Sequence, residues 1–184
     1  MTEYANIDKW HRQLCPISPQ IIISGDLSND AGRALGQIDG WKQARISHVL
    51  DTRIEWSDED LVAQHAPDII YGWIGADDAG LPQDDEWFDA GLEFASEALR
   101  DTESVLLVHC HMGINRGPTM AYRILLENGH DPIEALDVIR SARPIADVGY
   151  ATDALDHYHR SHKTPQEMQV HDRDRLAVVA PVAL

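Results

Sequence analysis

The stretch that most restricts the fold of this chain runs from Val105 to Thr119. Four apolar residues, Val105 to Val108, lead into His109-Cys110, and a glycine-containing loop ends at Arg116-Gly117-Pro118. Such a run is too short and too continuously apolar for a surface helix, and it fits a central buried strand. Proline's fixed φ suits the first helical position, where its missing N–H costs nothing, so a helix is expected near Gly117-Pro118. A short loop between strand and helix turns successive backbone N–H groups inward. With the positive end of the helix they form a concave anion site.

The loop residues His111, Met112, Gly113, Ile114 and Asn115 are therefore expected to bind phosphate through their backbone, with Gly113 supplying conformational freedom. Arg116 can clamp two oxygens with its planar fork, which lysine cannot reproduce. The same donors stabilise a sulfur anion, so Cys110 is expected to act as a thiolate. A thiolate under a bound oxyanion attacks phosphorus in line with the leaving oxygen. The amides and Arg116 then meet the developing charge, and a covalent thiophosphate results.

A leaving alkoxide or phenoxide needs a proton. Asp77, Asp78, Asp84 and Asp85 all lie before the Trp87 region, and spacing alone does not choose among them.

Around this centre the pattern alternates. Strands are expected at Ile21 to Ile23, Ile46 to Leu50 and Asp68 to Ile74, and helices over Asp30 to Lys42 and from Trp87 through Arg100. The second helix should be capped by a carboxylate of Asp84 or Asp85 that accepts amide hydrogens. Further helices follow Gly117, Asp131-Pro132 and Tyr150. Beyond His162 a loosely attached tail is expected, with Leu176 to Val179 a candidate edge strand. Strands followed by helices indicate an α/β domain, with helices covering a central mixed, mostly parallel sheet. At 184 residues one domain spanning 1–184 is expected, its core at about 21–159.

Lys plus Arg total 15 against 31 Asp plus Glu, a formal charge of −16. That field repels nucleic acid and anionic membranes, so neither is expected as a partner. No secretory pattern and no bilayer-length apolar run occurs. The two cysteines stand far apart in unlike surroundings, which favours free thiols. A cytoplasmic setting is expected. His157, His159 and His162 lack a second ligand cluster, so they read as a solvated helix end and no metal or other cofactor is expected.

The segment His109-Cys110-His111-Met112-Gly113-Ile114-Asn115-Arg116 resembles the phosphate loop of the cysteine-dependent protein tyrosine phosphatase superfamily, most closely its compact dual-specificity-like branch. The resemblance covers about Ile21 to His159. It includes the interval from Asp78 to Trp87-Phe88 and to Cys110, as well as Arg140, Arg143 and Gly149-Tyr150. It implies a phosphatase fold with Cys110 as nucleophile, Arg116 as oxyanion clamp and Asp78 as acid, Asp77 being the competitor. It also implies that His109 orients the loop by hydrogen bonds. One departure stands out: the family usually carries a hydroxyl directly after the arginine, where it helps the sulfur leave, and Gly117 has none. Thr119 lies two residues further on.

No lysine or second arginine lies between Cys110 and Arg116, and His111 adds charge only when protonated. A phosphomonoester is therefore expected, phosphotyrosine ahead of phosphoserine or phosphothreonine, borne on a protein or a small molecule. The alternative is a phosphate-binding pseudophosphatase that holds the anion without turnover. Rhodanese and arsenate-reductase chemistry rank lower, because the former has no need of the upstream acid and the latter needs resolving thiols.

Overall fold

The structure, a computed structural model, describes residues 7–179. In chain order the elements are α1 (Ile7–Trp10), β1 (Cys15–Pro16), β2 (Ile21–Ser24), α2 (Ala31–Gln43), β3 (His48–Arg53), α3 (Glu59–His65) and β4 (Ile70–Ala76). They continue with α4 (Asp85–Ala98), β5 (Leu106–His109), α5 (Arg116–Glu127), α6 (Pro132–Ala142), α7 (Ala151–His162) and α8 (Gln166–Val179). The sheet order is β1-β2-β5-β3-β4. β1 runs antiparallel to β2, and the remaining neighbours are parallel.

Strand side chains alternate faces, and the core divides accordingly. Ile21, Ile23, Leu50, Leu106 and Val108 pack with the residues of α4 to α8. Ile22, Val49 and Leu107 pack with Ala34, Ile38 and Trp41 of α2 and with Val62 of α3. The expected mixed sheet flanked by helices is what the chain forms. β5 lies at its centre, wedged between β2 and β3 by crossovers of opposite sense. That is where α/β sheets open a crevice beyond the carboxyl ends of their strands.

α5 lies deeper than a single apolar stripe predicts, since every residue from Arg116 to Leu126 is buried. Three sequence expectations need correction. The segment after His162 is a helix, α8, that seats the fully buried Leu176 against the core; its alternating charges hid a face with one large apolar residue. His157 and His159 are buried rather than solvated. His157 accepts a hydrogen bond from Arg123 Nε at 2.9 Å and faces Asp89 Oδ1 at 3.0 Å. At α4 the N-cap is Asp84, and its carboxylate makes no capping bond.

Candidate active site

Because β2, β3, β4 and β5 are parallel, the loops after them meet at one edge of the sheet. These loops carry Asp26, Glu55, Asp77 with Asp78, and the segment Cys110 to Arg116.

Cys110 follows the last residue of β5 and is buried. From His111 to Ile114 each loop carbonyl is tied outward. His111 O accepts from Asp26 N at 3.0 Å, and Ile114 O from Asp147 N at 2.9 Å. Met112 O accepts from Arg143 Nη2 at 2.8 Å, and Gly113 O from Arg143 Nε at 2.6 Å. Among the described residues no backbone N–H of 111–115 donates a hydrogen bond. With the carbonyls held on the outside, the amides are left to the concave side, as an anion cradle requires. Gly113 has φ +63, and a Cβ there would sit 2.4 Å from Ser24 O and 2.6 Å from Arg143 Nη2. No side chain fits that position.

Arg143 is fully buried and, among the described residues, has no carboxylate partner. Its remaining donors go to His11 O and Gln13 O, both at 3.2 Å, and to Cys15 Sγ at 3.5 Å. A guanidinium has five donors and no acceptor, and here all five anchor the loop or the chain beneath it. A positive charge thus lies under Gly113, where a bound anion offsets it.

Arg116, the first residue of α5, is 3 % exposed. Its Nη1 donates to Glu55 Oε2 and to Ala76 O, each at 2.8 Å, and its Nη2 donates to Glu55 Oε1 at 2.8 Å. Two donors remain, Nε–H and the second hydrogen of Nη2, and they lie along one edge of the guanidinium. Nε makes no hydrogen bond. Its nearest acidic oxygen, Asp78 Oδ2, is 3.3 Å away and out of alignment. Burial pulls the Arg116 pKa down, but the hydrogen bond to Glu55 and the charges of Cys110, Glu55 and Asp78 hold it above the ordinary guanidinium value. Glu55 in turn is held below the usual carboxylate range, chiefly by that hydrogen bond.

Asp78 Oδ1 accepts from Asn115 Nδ2 at 2.6 Å and from Tyr150 OH at 3.0 Å. Asn115 Oδ1 accepts from Gly149 N at 2.6 Å, so this one amide ties the Asp78 loop to the segment before α7. Asp77 is exposed, and its Oδ1 accepts from Asp78 N at 2.7 Å. Of the two aspartates the sequence left in competition, Asp78 is the one beside Arg116.

Behind the loop, Asp26 is buried and ringed by donors. His11 Nε2 is at 3.1 Å, Arg12 Nη2 at 3.0 Å, His111 Nδ1 at 2.7 Å and Arg53 Nη1 at 3.4 Å. Burial works to raise its pKa, yet the bonds from His11 and His111 and the nearby charges hold it below the usual range. His111 is thereby fixed by one ring nitrogen, with its other side toward solvent and its ring edge-on to Trp56 at 5.3 Å. His11, Asp26 and His111 place ligand-type atoms within 4.8 Å of one another. A cation does not suit this set. Arg12 Nη1 is 3.1 Å from His11 Nδ1; guanidinium only donates, so that nitrogen accepts and Nε2 carries the proton. A metal would have to displace that proton beside two arginines.

Two supporting residues, His109 and Thr119, are buried. The polar neighbours of the His109 ring are the Cys110 backbone and Asp51 Oδ1, 3.9 Å away, and neither makes a well-aligned hydrogen bond among the described residues. Burial drives the His109 pKa down, and its contribution to the loop is the backbone, whose carbonyl accepts from Thr52 Oγ1 at 2.8 Å. Thr119 is buried with its hydroxyl unpartnered, so it does not stand in for a hydroxyl at Gly117. A Cβ on Gly117 would lie 3.0 Å from His109 C and 3.1 Å from Cys110 N. The start of α5 therefore packs too tightly on the end of β5 for an easy serine.

Glu55, Asp26, His11, Arg12 and Arg53 were missed in the sequence, and Arg143 and Tyr150 entered only through the resemblance. Glu55 sits in a stretch with no periodicity, and Asp26 reads as a turn residue. An arginine before a proline, as at Arg143, reads as a solvated helix end.

Solved structures share this fold. Human DUSP28 superposes with a TM-score of 0.65 at 16 % identity, covering 81 % of this chain and 95 % of that one. A mouse putative dual specificity phosphatase complexed with zinc tungstate gives 0.66 at 18 %, covering 89 % and 94 %. PTPMT1 in complex with PI(5)P gives 0.62 at 15 %, covering 85 % and 99 %. No family model and no curated protein matches the chain. At these identities the likeness is one of fold: the chain has the fold of the tyrosine and dual-specificity phosphatase superfamily. Among its described residues no helix is long and apolar enough to cross a membrane.

Proposed function

We propose that this protein is a phosphomonoester hydrolase that works through a phosphocysteine on Cys110. The observation that carries the reading is the pairing of unpartnered loop backbone amides with the Nε–Nη2 edge of Arg116, which makes no hydrogen bond beyond its ion-pair contact with Asp78 and lies near Cys110. Together they match the three outer oxygens of a phosphoryl group. The thiolate forms the S–P bond as the ester oxygen leaves with a proton from Asp78. Asp78 then takes a proton from the water that cleaves the intermediate. The two-step route needs no metal or organic cofactor.

The substrate we infer is a phosphorylated protein, phosphotyrosine ahead of phosphoserine and phosphothreonine, with small aryl phosphates also accepted. What supports this is a loop without lysine or a second arginine; PTPMT1, by contrast, is a protein whose structure holds a phosphoinositide. A cytoplasmic setting agrees with two free cysteines and the acidic composition. The crowded Gly117 and the unpartnered Thr119 hydroxyl favour one other reading, a pseudophosphatase that binds phosphate and stalls. Assay of wild type and Cys110→Ser on phosphotyrosine peptides, phosphoserine peptides and phosphoinositides separates them. Release of phosphate from the tyrosine peptide by wild type alone is expected; binding without release by both proteins overturns catalysis.

A further inference from the structure

Two grooves adjoin the phosphate cradle. The first, about 630 Å³, is lined by Ile54, Ile74 and Leu81 together with Asp77, Asp84 and Glu86. The second, about 350 Å³, is lined by Asn115 and Tyr150 together with Asp78, Asp147 and Asp153. Neither contains a lysine or arginine. Arg116 touches a lining residue of each, Ala76 O in the first and Asp78 in the second. Arg116 therefore stands where the two grooves approach each other.

Several acidic groups lining these grooves lack a cationic partner among the described residues and stand beside the site, whereas some acidic groups elsewhere are neutralised. Asp85, Asp131 and Asp156 are each paired with an arginine. The carboxylates of Asp84, Glu86 and Asp147 make no ion pair and accept no hydrogen bond among the described residues. Leu81, on the loop shared by both grooves, is 69 % exposed. An apolar ridge between two unneutralised acidic walls suits an extended segment with apolar and cationic side chains.

We propose that the two grooves hold the residues flanking the phosphorylated one, and that they select phosphopeptides with lysine or arginine close to the phosphoresidue. The inference rests on the phosphatase reading and names its substrate class. The cationic side chains approach Asp84 and Glu86 on one side and Asp147 on the other. Leu81 packs against the segment's apolar side chain.

The test compares kcat/KM for two phosphotyrosine peptides that differ only in flanking arginine or glutamate, with p-nitrophenyl phosphate as the small reference. Each rim pair is weak, so the expected preference for the arginine peptide is about fivefold at low salt, shrinking as salt rises. The triple variant Asp84→Asn, Glu86→Gln, Asp147→Asn brings the ratio close to one. Glu134→Gln with Asp137→Asn, exposed on α6, removes two negative charges elsewhere and leaves the ratio high. Equal rates for the two peptides, a preference for glutamate, or a preference that survives the triple variant overturns the proposal. So does faster turnover of phosphoinositide vesicles than of either peptide. If no phosphomonoester is hydrolysed, the phosphatase reading fails separately. The groove is then read from the binding of the two fluorescent peptides to Cys110→Ser, where tighter binding of the arginine peptide supports it and equal binding overturns it.

Discussion

Glu55 grips Arg116 end-on: both terminal nitrogens of the guanidinium are 2.8 Å from its two carboxylate oxygens. The side edge makes no hydrogen bond, its Nε–H facing Asp78 Oδ2 at 3.3 Å out of alignment. An end-on carboxylate and a side-on phosphate do not compete for the same hydrogens, so Glu55 orients Arg116 without blocking it.

Orientation by Glu55 has a pH signature. Its folded pKa is depressed by the Arg116 hydrogen bond, so the pairing is intact above the unfolded value of about 4.3. It is lost as pH falls through the lower folded value. Glu55→Gln should lower kcat/KM for p-nitrophenyl phosphate about tenfold at pH 7 and remove this acid limb. An unchanged profile in the variant excludes Glu55 as the positioning group.

Arg143 should matter to stability and binding together. Arg143→Lys keeps the charge but cannot reach five acceptors spread over His11, Gln13, Cys15, Met112 and Gly113. A loss of about 3 kcal/mol is expected in urea unfolding, with weaker vanadate or phosphate binding measured by calorimetry. Wild-type affinity in the folded variant contradicts a loop held open by this residue.

At the acid, Asp78→Asn should slow esters of poor leaving groups about 100-fold and those of good leaving groups much less. Asp77→Asn should follow wild type. The measurement is the slope of log kcat/KM, which reports the step that expels the leaving group, against leaving-group pKa; equal slopes in wild type and Asp78→Asn exclude Asp78 as the proton donor.

The missing hydroxyl should appear as a burst. Wild type is expected to release one equivalent of p-nitrophenol rapidly and then turn over slowly, because nothing at Gly117 eases departure of the sulfur. Gly117→Ser should shrink the burst relative to the steady state at a cost of about 1–2 kcal/mol in stability, given the 3.0 Å approach to His109 C. Thr119→Val should leave the burst intact and change stability by about 0–1 kcal/mol in the favourable direction, since its hydroxyl is buried without a partner. A linear time course in wild type removes the motivation.

The sheet and its central loop were legible because β-strand and cradle signals are local. Val105 to Val108, Gly113 and Pro118 declare themselves within fifteen residues. α3 and α8 were not legible, since each scatters polar and charged residues among its apolar ones and buries few side chains, Val62 in one and Asp172 and Leu176 in the other. The partners of the loop were hidden for a different reason. Glu55, Asp26 and Arg143 acquire their roles only when parallel strands bring loops 30 to 130 residues apart to one edge. The ring packing of His109 beside Trp41 and Tyr71 was equally out of reach, because both aromatic residues come from distant parts of the chain.

The most direct measurement is acid-quenched mass spectrometry of wild type mixed with excess p-nitrophenyl phosphate. A phosphoryl adduct on the peptide containing Cys110, absent in Cys110→Ser, is the predicted result. Continued phosphate release with Cys110 unmodified at every quench time, or turnover by Cys110→Ser, contradicts the account.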